Sequence, residues 1–190
     1  MQFVLASASP RRRELLNMLG VKDLIICPAK GEEVIPPHAS PAQTVETLAA
    51  GKCAEVAALY DRRDLILAAD TVVAVDDRIL GKPRTEAEAE EMLHLLSGRE
   101  HFVYTGIAVK YGGQSVVEHE RTAVHFRSMT GREIRAYIAS GECMDKAGAY
   151  GIQGLGGYFV SGICGDYYNV VGLPLCRLGV ILGRLGVDLI

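Results

Sequence analysis

Strand-like and helix-like segments alternate along this chain, and this alternation limits its fold more than any other feature. Short apolar segments at residues 2–6 and 24–27 are typical of buried strands. Helix starts are marked by an N-cap residue followed by proline or, three positions later, by Gln or Glu, and they lie at Ser9, Ser40, Thr85 and Thr130. The sequence therefore predicts an α/β domain with a curved mixed sheet and helices around it.

The element boundaries follow from the same signals. Gly112-Gly113 joins two long β patterns and predicts an antiparallel hairpin. No polar linker divides the chain, so we expect residues 1–190 to form a single domain. The first helix should be buried through Leu15, Leu16 and Leu19, and the second should extend to about Tyr60. Residues 64–77 should form either one strand or two strands with a break at Asp70, and residues 79–84 should form a turn.

Composition excludes several classes of protein. The chain has 190 residues, 49% of them hydrophobic, and a formal net charge of −3, which argues against binding a nucleic-acid polymer. No apolar run approaches the roughly 18 residues that cross a bilayer, so we expect no membrane association. The five cysteines are odd in number and include no CxxC pair, which favours reduced thiols in a cytoplasmic protein.

Three adjacent arginines, Arg11, Arg12 and Arg13, fall in the first turn of the first predicted helix. Cations are disfavoured there by the helix dipole, and an anion bound to the free backbone N–H groups would compensate. Ser7 and Ser9 add hydroxyl donors beside them. The segment therefore indicates an anion site, and the alternative is a solvated basic patch or a set of ion pairs.

Asp70 follows the apolar run of residues 65–69, where a carboxylate is costly to bury unless it is paired or bound to a metal. Strand ends are also where α/β sheets hold catalytic groups, although a structural aspartate at a bulge would fit as well. Taken alone, Glu33, Lys52 and Lys82 are typical of surface residues. Cations, carboxylates and glycine-rich loops together favour a polyphosphate with a divalent metal, and no GxxxxGK[ST] or GxGxxG motif is present.

Five segments, taken in order, resemble the Maf family of nucleoside-triphosphate pyrophosphatases. They are LASASPRRRELL, AADTVV, GKPR, YTGIAV and DKAGAYGIQGLGG with VVGLPL, and they span nearly the whole chain. The resemblance implies an elongated mixed sheet flanked by helices, with two lobes around a cleft, similar to inosine-triphosphate pyrophosphatases. It also implies hydrolysis between the α- and β-phosphates to the monophosphate and pyrophosphate, with Mg²⁺ or Mn²⁺ as cofactor.

The resemblance also assigns roles to residues of this sequence. It implies that Glu33 and Asp70 bind the metal, and that Lys52 and Lys82 join them as catalytic residues. Asp70 would orient or deprotonate the attacking water, although the sequence leaves open which carboxylate is the base. The implied substrate contacts are Ser9, Arg11, Arg12, Arg13, Lys146 and Gln153. Ser7 is expected to join them as the hydroxyl donor already noted beside the arginines.

The segment DKAGAYGIQG is similar to the branch of the family that hydrolyses dTTP and UTP. The expected role is then clearance of unwanted nucleotides from the pool, and a homodimer is expected from the family alone. Two alternatives remain at this point: a pyrophosphatase for 7-methyl-GTP or other modified nucleotides, and a nucleotide-binding regulator of septum formation without turnover. Many members carry alanine where this chain has Cys53, and we expect no functional change from that difference.

Overall fold

The computed structural model describes residues 1–76 and 78–189. Its strands are β1 (Phe3–Leu5), β2 (Ile25–Ile26), β3 (Leu65–Val75), β4 (Arg78–Leu80), β5 (Glu100–Tyr111), β6 (Gln114–Phe126) and β7 (Val160–Cys164). Its α-helices are α1 (Pro10–Met18), α2 (Pro41–Ala57), α3 (Glu86–Leu96), α4 (Gly131–Ala139), α5 (Tyr167–Val171) and α6 (Leu175–Arg184). Two short 3₁₀ helices cover Ala147–Ala149 and Leu155–Phe159.

The described strands form one mixed sheet in the order β2-β1-β3-β5-β6-β7, with β4 paired to β3. β1 runs parallel to β2 and to β3, whereas β4 is antiparallel to β3 and β7 is antiparallel to β6. The predicted hairpin is present, and both of its turn glycines, Gly112 and Gly113, have positive φ angles of 60° and 84°. The predicted mixed α/β sheet is therefore confirmed.

The chain divides into two compact units, and three strands contribute residues to both. The first unit comprises Met1–Asp70, Thr105–Glu120 and Gly172–Ile190. Part of its core packs the buried stripe of α2 against β1 and β3, through Val4, Ala49, Cys53, Ile66 and others. Cys53 fills a small apolar position there, and burial raises the pKa of its thiol to about 11.

The second unit comprises Thr71–Tyr104 and Arg121–Val171. Its core joins α3 and α4 to the inner faces of β5 and β6, with Leu93, Leu96, Ile134 and Val124 fully buried. An aromatic group centred on Phe126 completes this core. Each unit thus has its own set of buried side chains.

Local capping explains why the helices begin where they do. The side chain of Ser40 accepts from the Gln43 amide, and the side chain of Gln43 accepts from the Ser40 amide, which is the predicted capping box. Thr130 and Glu133 form the same arrangement at the start of α4. Both predicted capping boxes are confirmed. They could be predicted because the residues that form each box lie within four positions of one another in the sequence.

Several local expectations were wrong. Leu19 is only partly buried. By contrast, one of the two alternatives for residues 64–77 is confirmed, since β3 continues through Asp70 as a single strand. The turn at 79–84 begins with residues of β4, whose antiparallel pairing with β3 was not foreseen. At α3, Thr85 caps as expected, but the Glu88 carboxylate accepts from the Arg84 amide instead of completing a capping box. At α3 the competing donor is local, the amide of the residue just before the cap, so a capping-box sequence does not by itself fix which bond forms.

Candidate functional site

Two carboxylates meet one ammonium group in the first unit. Lys52 Nζ donates a hydrogen bond to Asp70 Oδ1 and lies 2.7 Å from Glu33 Oε1. The side chains of Lys52 and Asp70 are 21% and 14% exposed, and that of Glu33 is 55% exposed. We call these three residues the Lys52 cluster. It is partly shielded from water on the Lys52–Asp70 side and open at Glu33, so a charged ligand can reach it.

The elements of the first unit place Lys52 beside Asp70. Lys52 lies one turn from the buried positions Leu48 and Val56 of α2, at the edge of the apolar stripe. Gly106 allows α2 close to β5, because a Cβ at this position would stand 2.2 Å from the carbonyl oxygen of Val45. Asp70 comes after five buried residues of β3, so its carboxylate lies where that apolar run ends.

Arg12 is held in a fixed orientation next to this cluster. Its Nε donates to the carbonyl oxygen of Gly172 at 2.8 Å, and its Nη1 donates to Ser7 Oγ at 3.0 Å. Burial lowers the pKa of Arg12 to about 10, Asp70 opposes that shift, and Arg11 adds to it. A pKa of about 10 keeps the guanidinium charged at neutral pH, so Arg12 contributes a fixed positive charge that interacts with Asp70.

The start of α1 has the predicted form but a different cap. Pro10 occupies the first turn, and Ser9 is the N-cap residue, yet its side chain makes no capping hydrogen bond among the residues that the structure describes. Instead, the Ser9 amide donates to Ser7 Oγ at 3.2 Å. Arg11 is half-buried and Arg13 is exposed. The first turn therefore combines cationic side chains with backbone N–H groups, as the sequence predicted.

The remaining predicted site residues lie in the second unit. Lys82 is exposed in the turn after β4, and the carbonyl oxygen of the preceding Gly81 accepts from the Gly148 amide at 3.0 Å. Lys146 Nζ donates to the carbonyl oxygen of Glu142 at 2.5 Å and to Asp145 Oδ1 at 2.6 Å. Gln153 is exposed between the two 3₁₀ helices. The structure thus ties the Lys82 turn to the glycine-rich loop that carries Lys146 and Gln153.

Sequence reasoning missed Glu142 and Tyr137. The carboxylate of Glu142 accepts hydrogen bonds from the amides of Leu155 and Gly156 and from the hydroxyl of Tyr137. The available signal was an acidic residue shortly before a glycine-rich segment. That signal does not identify the donors, because they lie 13 and 14 residues further along the chain.

The donor chemistry of the Lys52 cluster fits a hard divalent cation. Mg²⁺ is commonly bound by one or two carboxylates, with substrate phosphates and water completing its coordination. Glu33 and Asp70 supply two carboxylates that converge on one point, the ammonium of Lys52. Within residues 1–76 and 78–189, no group of three His, Cys, Asp or Glu side chains forms a metal site from protein ligands alone. A metal held by Glu33 and Asp70 would take its remaining ligands from the substrate or from water.

Comparison with known proteins identifies the family. The chain matches the family described as Maf-like protein over residues 2–185, and it belongs to this family. A protein of Moorella thermoacetica named dTTP/UTP pyrophosphatase is 53% identical over 190 residues, covering 98% of this chain and 96% of the relative. A protein of Bacillus cereus with the same name is 50% identical over 187 residues, covering 98% and 97%.

Among solved structures, a nucleoside-triphosphatase described as a dITP/XTP pyrophosphatase from Mycobacterium abscessus aligns with a TM-score of 0.44 and 17% identity. The alignment covers 97% of this chain and 94% of that one. Within the described residues, no helix combines the length and the apolar character needed to cross a membrane.

Proposed function

We propose that this chain hydrolyses dTTP and UTP between the α- and β-phosphates, releasing the nucleoside monophosphate and pyrophosphate. Relatives about half identical to it over nearly the whole chain are named dTTP/UTP pyrophosphatase. The observation that carries the proposal is the Lys52 cluster with Arg12 beside it, because carboxylates and fixed cations at one place suit a metal-bound polyphosphate. The same cluster would serve a pyrophosphatase for 7-methyl-GTP, so the preference for dTTP and UTP rests on the names of these relatives. No observation favours a regulator without turnover.

In the proposed mechanism, Asp70 orients a water molecule toward the α-phosphorus and accepts its proton. The water oxygen bonds to the α-phosphorus while the bond from this phosphorus to the bridging oxygen breaks, and that oxygen leaves with pyrophosphate. Lys52 neutralises charge beside Asp70 and fixes its carboxylate through their hydrogen bond. Glu33 and Asp70 would hold Mg²⁺ or Mn²⁺, which when bound would neutralise phosphate charge.

The cationic residues bind the triphosphate in this proposal. Arg12 is already oriented by Ser7 and Gly172, so it needs little reorganisation to hold a phosphate oxygen. Arg11, Arg13 and the backbone N–H groups after Ser9 add positive potential at the start of α1. Lys82, Lys146 and Gln153 remain proposed contacts to the nucleotide, supported by the family resemblance.

The wider role that we propose is removal of unwanted nucleotides from the cytoplasmic pool, carried out by residues 1–190 as one functional domain. The family match over residues 2–185 supports this domain extent. A homodimer stays a prediction from the family.

The test is product analysis on dTTP, UTP, CTP, GTP and 7-methyl-GTP with Mg²⁺. Wild-type protein should release pyrophosphate from dTTP and UTP, and Asp70→Asn should lower kcat by about a thousandfold, the scale of a general base. Asp61→Asn is the matched control, because Asp61 is an exposed carboxylate paired with Arg63, and it should retain full turnover.

Other outcomes would change the proposal in defined ways. Release of inorganic phosphate with a nucleoside diphosphate would contradict cleavage between the α- and β-phosphates. Turnover of 7-methyl-GTP in preference to dTTP and UTP would favour the modified-nucleotide alternative. Tight nucleotide binding without any turnover would favour the regulator.

A further inference from the structure

A single carboxylate organises the glycine-rich loop of the second unit. Glu142 Oε2 accepts from the Leu155 amide at 2.8 Å, and Glu142 Oε1 accepts from the Gly156 amide at 3.2 Å. The Tyr137 hydroxyl donates to Glu142 Oε1 at 2.9 Å. Three donors therefore converge on one side chain, and two of them are backbone groups of the loop.

Tyr137 extends this arrangement to the beginning of the loop. Its side chain is buried, and its hydroxyl oxygen accepts from the Gly151 amide at 3.2 Å. Burial raises the pKa of Tyr137, and the nearby Glu142 carboxylate raises it further, so the hydroxyl stays protonated and can donate. We call Tyr137, Glu142 and the amides of residues 151, 155 and 156 the Glu142 cluster.

The charge of Glu142 is stabilised by these same contacts. Burial alone would raise the pKa of Glu142, but the amides of Leu155 and Gly156, the Tyr137 hydroxyl and the Lys146 ammonium together lower it. The carboxylate is therefore ionised at neutral pH, and an ionised acceptor makes hydrogen bonds about twice as strong as a neutral one.

Three glycines of the loop, at positions 151, 154 and 156, are explained by close contact with this cluster or with Lys146. A Cβ at position 154 would stand 2.3 Å from Glu142 Oε2, and one at position 156 would stand 2.8 Å from the Tyr137 hydroxyl oxygen. A Cβ at position 151 would stand 2.6 Å from Lys146 Cε. The loop is glycine-rich because its backbone wraps closely around protein side chains.

The amides of Gly151, Leu155 and Gly156 donate to protein acceptors, so they do not form a phosphate cradle. The loop presents the side chains of Gln153 and Leu155 to solvent, and Gln153, halfway between the held positions 151 and 155, is the polar one of the two. Gln153 offers both a hydrogen-bond donor and an acceptor, which suits the edge of a pyrimidine base. The geometry thus favours a loop that reads the base.

We infer that Glu142 is a positioning residue for substrate discrimination: it folds the loop so that Gln153 meets the base of the nucleotide. This inference rests on the proposed function and adds a residue to it. The contact with the base is the same in the ground state and the transition state, so its loss raises KM and leaves kcat unchanged.

The test is Glu142→Gln. The amide keeps one acceptor oxygen and replaces the other with an NH₂ group, which cannot accept from a backbone amide. KM for dTTP and UTP should rise roughly tenfold with kcat within about twofold, the size expected for lost hydrogen bonds to a charged group. The preference for dTTP and UTP over CTP should narrow by a similar factor.

Glu133→Gln is the matched control. Glu133 is also ionised, since Arg127 lowers its pKa to about 2, and it caps α4 without contacting the loop. It should lower stability without changing KM. An unchanged KM in Glu142→Gln, or a loss confined to kcat, would overturn the inference.

Hydrogen exchange separates failure of this inference from failure of the proposed function. The amides of Leu155 and Gly156 should exchange at least about tenfold faster in Glu142→Gln than in wild type. Unchanged exchange would overturn the role of Glu142 whatever the activity. If the wild type turns over no nucleotide, the proposed function fails, and the Kd for UTP measured by calorimetry replaces KM. Absence of UTP binding would then overturn the inference as well.

Should Glu142→Gln fail to fold, Tyr137→Phe provides a second route. It removes the hydroxyl that links Gly151 to Glu142 but keeps the buried ring. KM should rise about three- to tenfold, since two hydrogen bonds are lost, one to the ionised Glu142 carboxylate and one from the Gly151 amide. An unchanged KM in this variant would also overturn the inference.

Discussion

The Lys52 cluster and the Glu142 cluster both gather residues far apart in sequence, but they do so with different groups. In the Lys52 cluster, charged side chains bind one another, and a ligand that brings its own charges can exchange with them. In the Glu142 cluster, the carboxylate binds backbone amides that the loop needs to keep its shape. The first arrangement suits chemistry and the second suits positioning, so substitutions in the two should affect different kinetic constants.

After Asp70→Asn, the largest loss of activity is expected from Lys52→Met, which tests whether the Lys52 cluster takes part in the chemical step. Methionine keeps most of the length and apolar contact of lysine but leaves Asp70 and Glu33 without their shared cation. kcat/KM for dTTP should fall roughly 10²- to 10³-fold, mainly through kcat. Steady-state kinetics on purified protein would measure this.

Lys22→Met is the matched control for this substitution. Lys22 is exposed, and its change should leave both constants unaltered. Activity of Lys52→Met within about threefold of wild type would remove the Lys52 cluster from the proposed mechanism.

The comparison also shows which parts of the site the sequence could predict. Asp70 was predicted because a carboxylate at the end of a buried apolar run needs a partner, and the structure supplies Lys52. Lys52 itself was singled out only through the family resemblance, because position on a helix does not reveal which strand lies opposite. Glu142 was missed because its partners are mainly backbone amides, which carry no signal in the sequence.

For the fold, too, contacts between sequence neighbours could be predicted and other contacts could not. Elements fixed by neighbours in sequence were predicted, including the capped starts of α2 and α4 and the hairpin at Gly112-Gly113. β4 was missed because three residues are too short for a periodic pattern, and its formation depends on pairing with β3. The sequence left open whether the strand breaks at Asp70, and the sheet contains one continuous strand through this polar residue.

A second prediction concerns the acid sensitivity of the second unit. His101 in the second unit is fully buried, with its Nε2 2.8 Å from the Tyr150 hydroxyl oxygen. Burial lowers its pKa to about 4, and nearby His125 adds to that shift. The unfolded chain therefore binds a proton at higher pH than the folded protein, whose histidine stays neutral.

Because the folded pKa lies below the unfolded value of about 6.5, the stability linked to His101 is complete above pH 6.5. It is lost as pH falls toward 4, by about 3 kcal/mol in total. His101→Gln can keep the bond to Tyr150 and does not titrate, so its unfolding free energy should fall less between pH 7 and pH 4. Urea denaturation of both proteins at the two pH values would measure the difference, and equal losses would contradict the assignment.

The smallest effect is expected from Gly154→Ala. This substitution tests whether the Glu142 cluster positions the loop, and it changes no charge. The added methyl group would stand 2.3 Å from Glu142 Oε2 and must push the carboxylate away from the Leu155 amide. Gly162→Ala is the control, since a Cβ there meets nothing within 4 Å. KM for UTP should rise about three- to tenfold in Gly154→Ala at nearly constant kcat, and should stay at the wild-type value in Gly162→Ala. A fall in kcat with KM unchanged would mean that the loop acts on the reacting phosphates, and the distinction between a chemical and a positioning cluster would then be wrong.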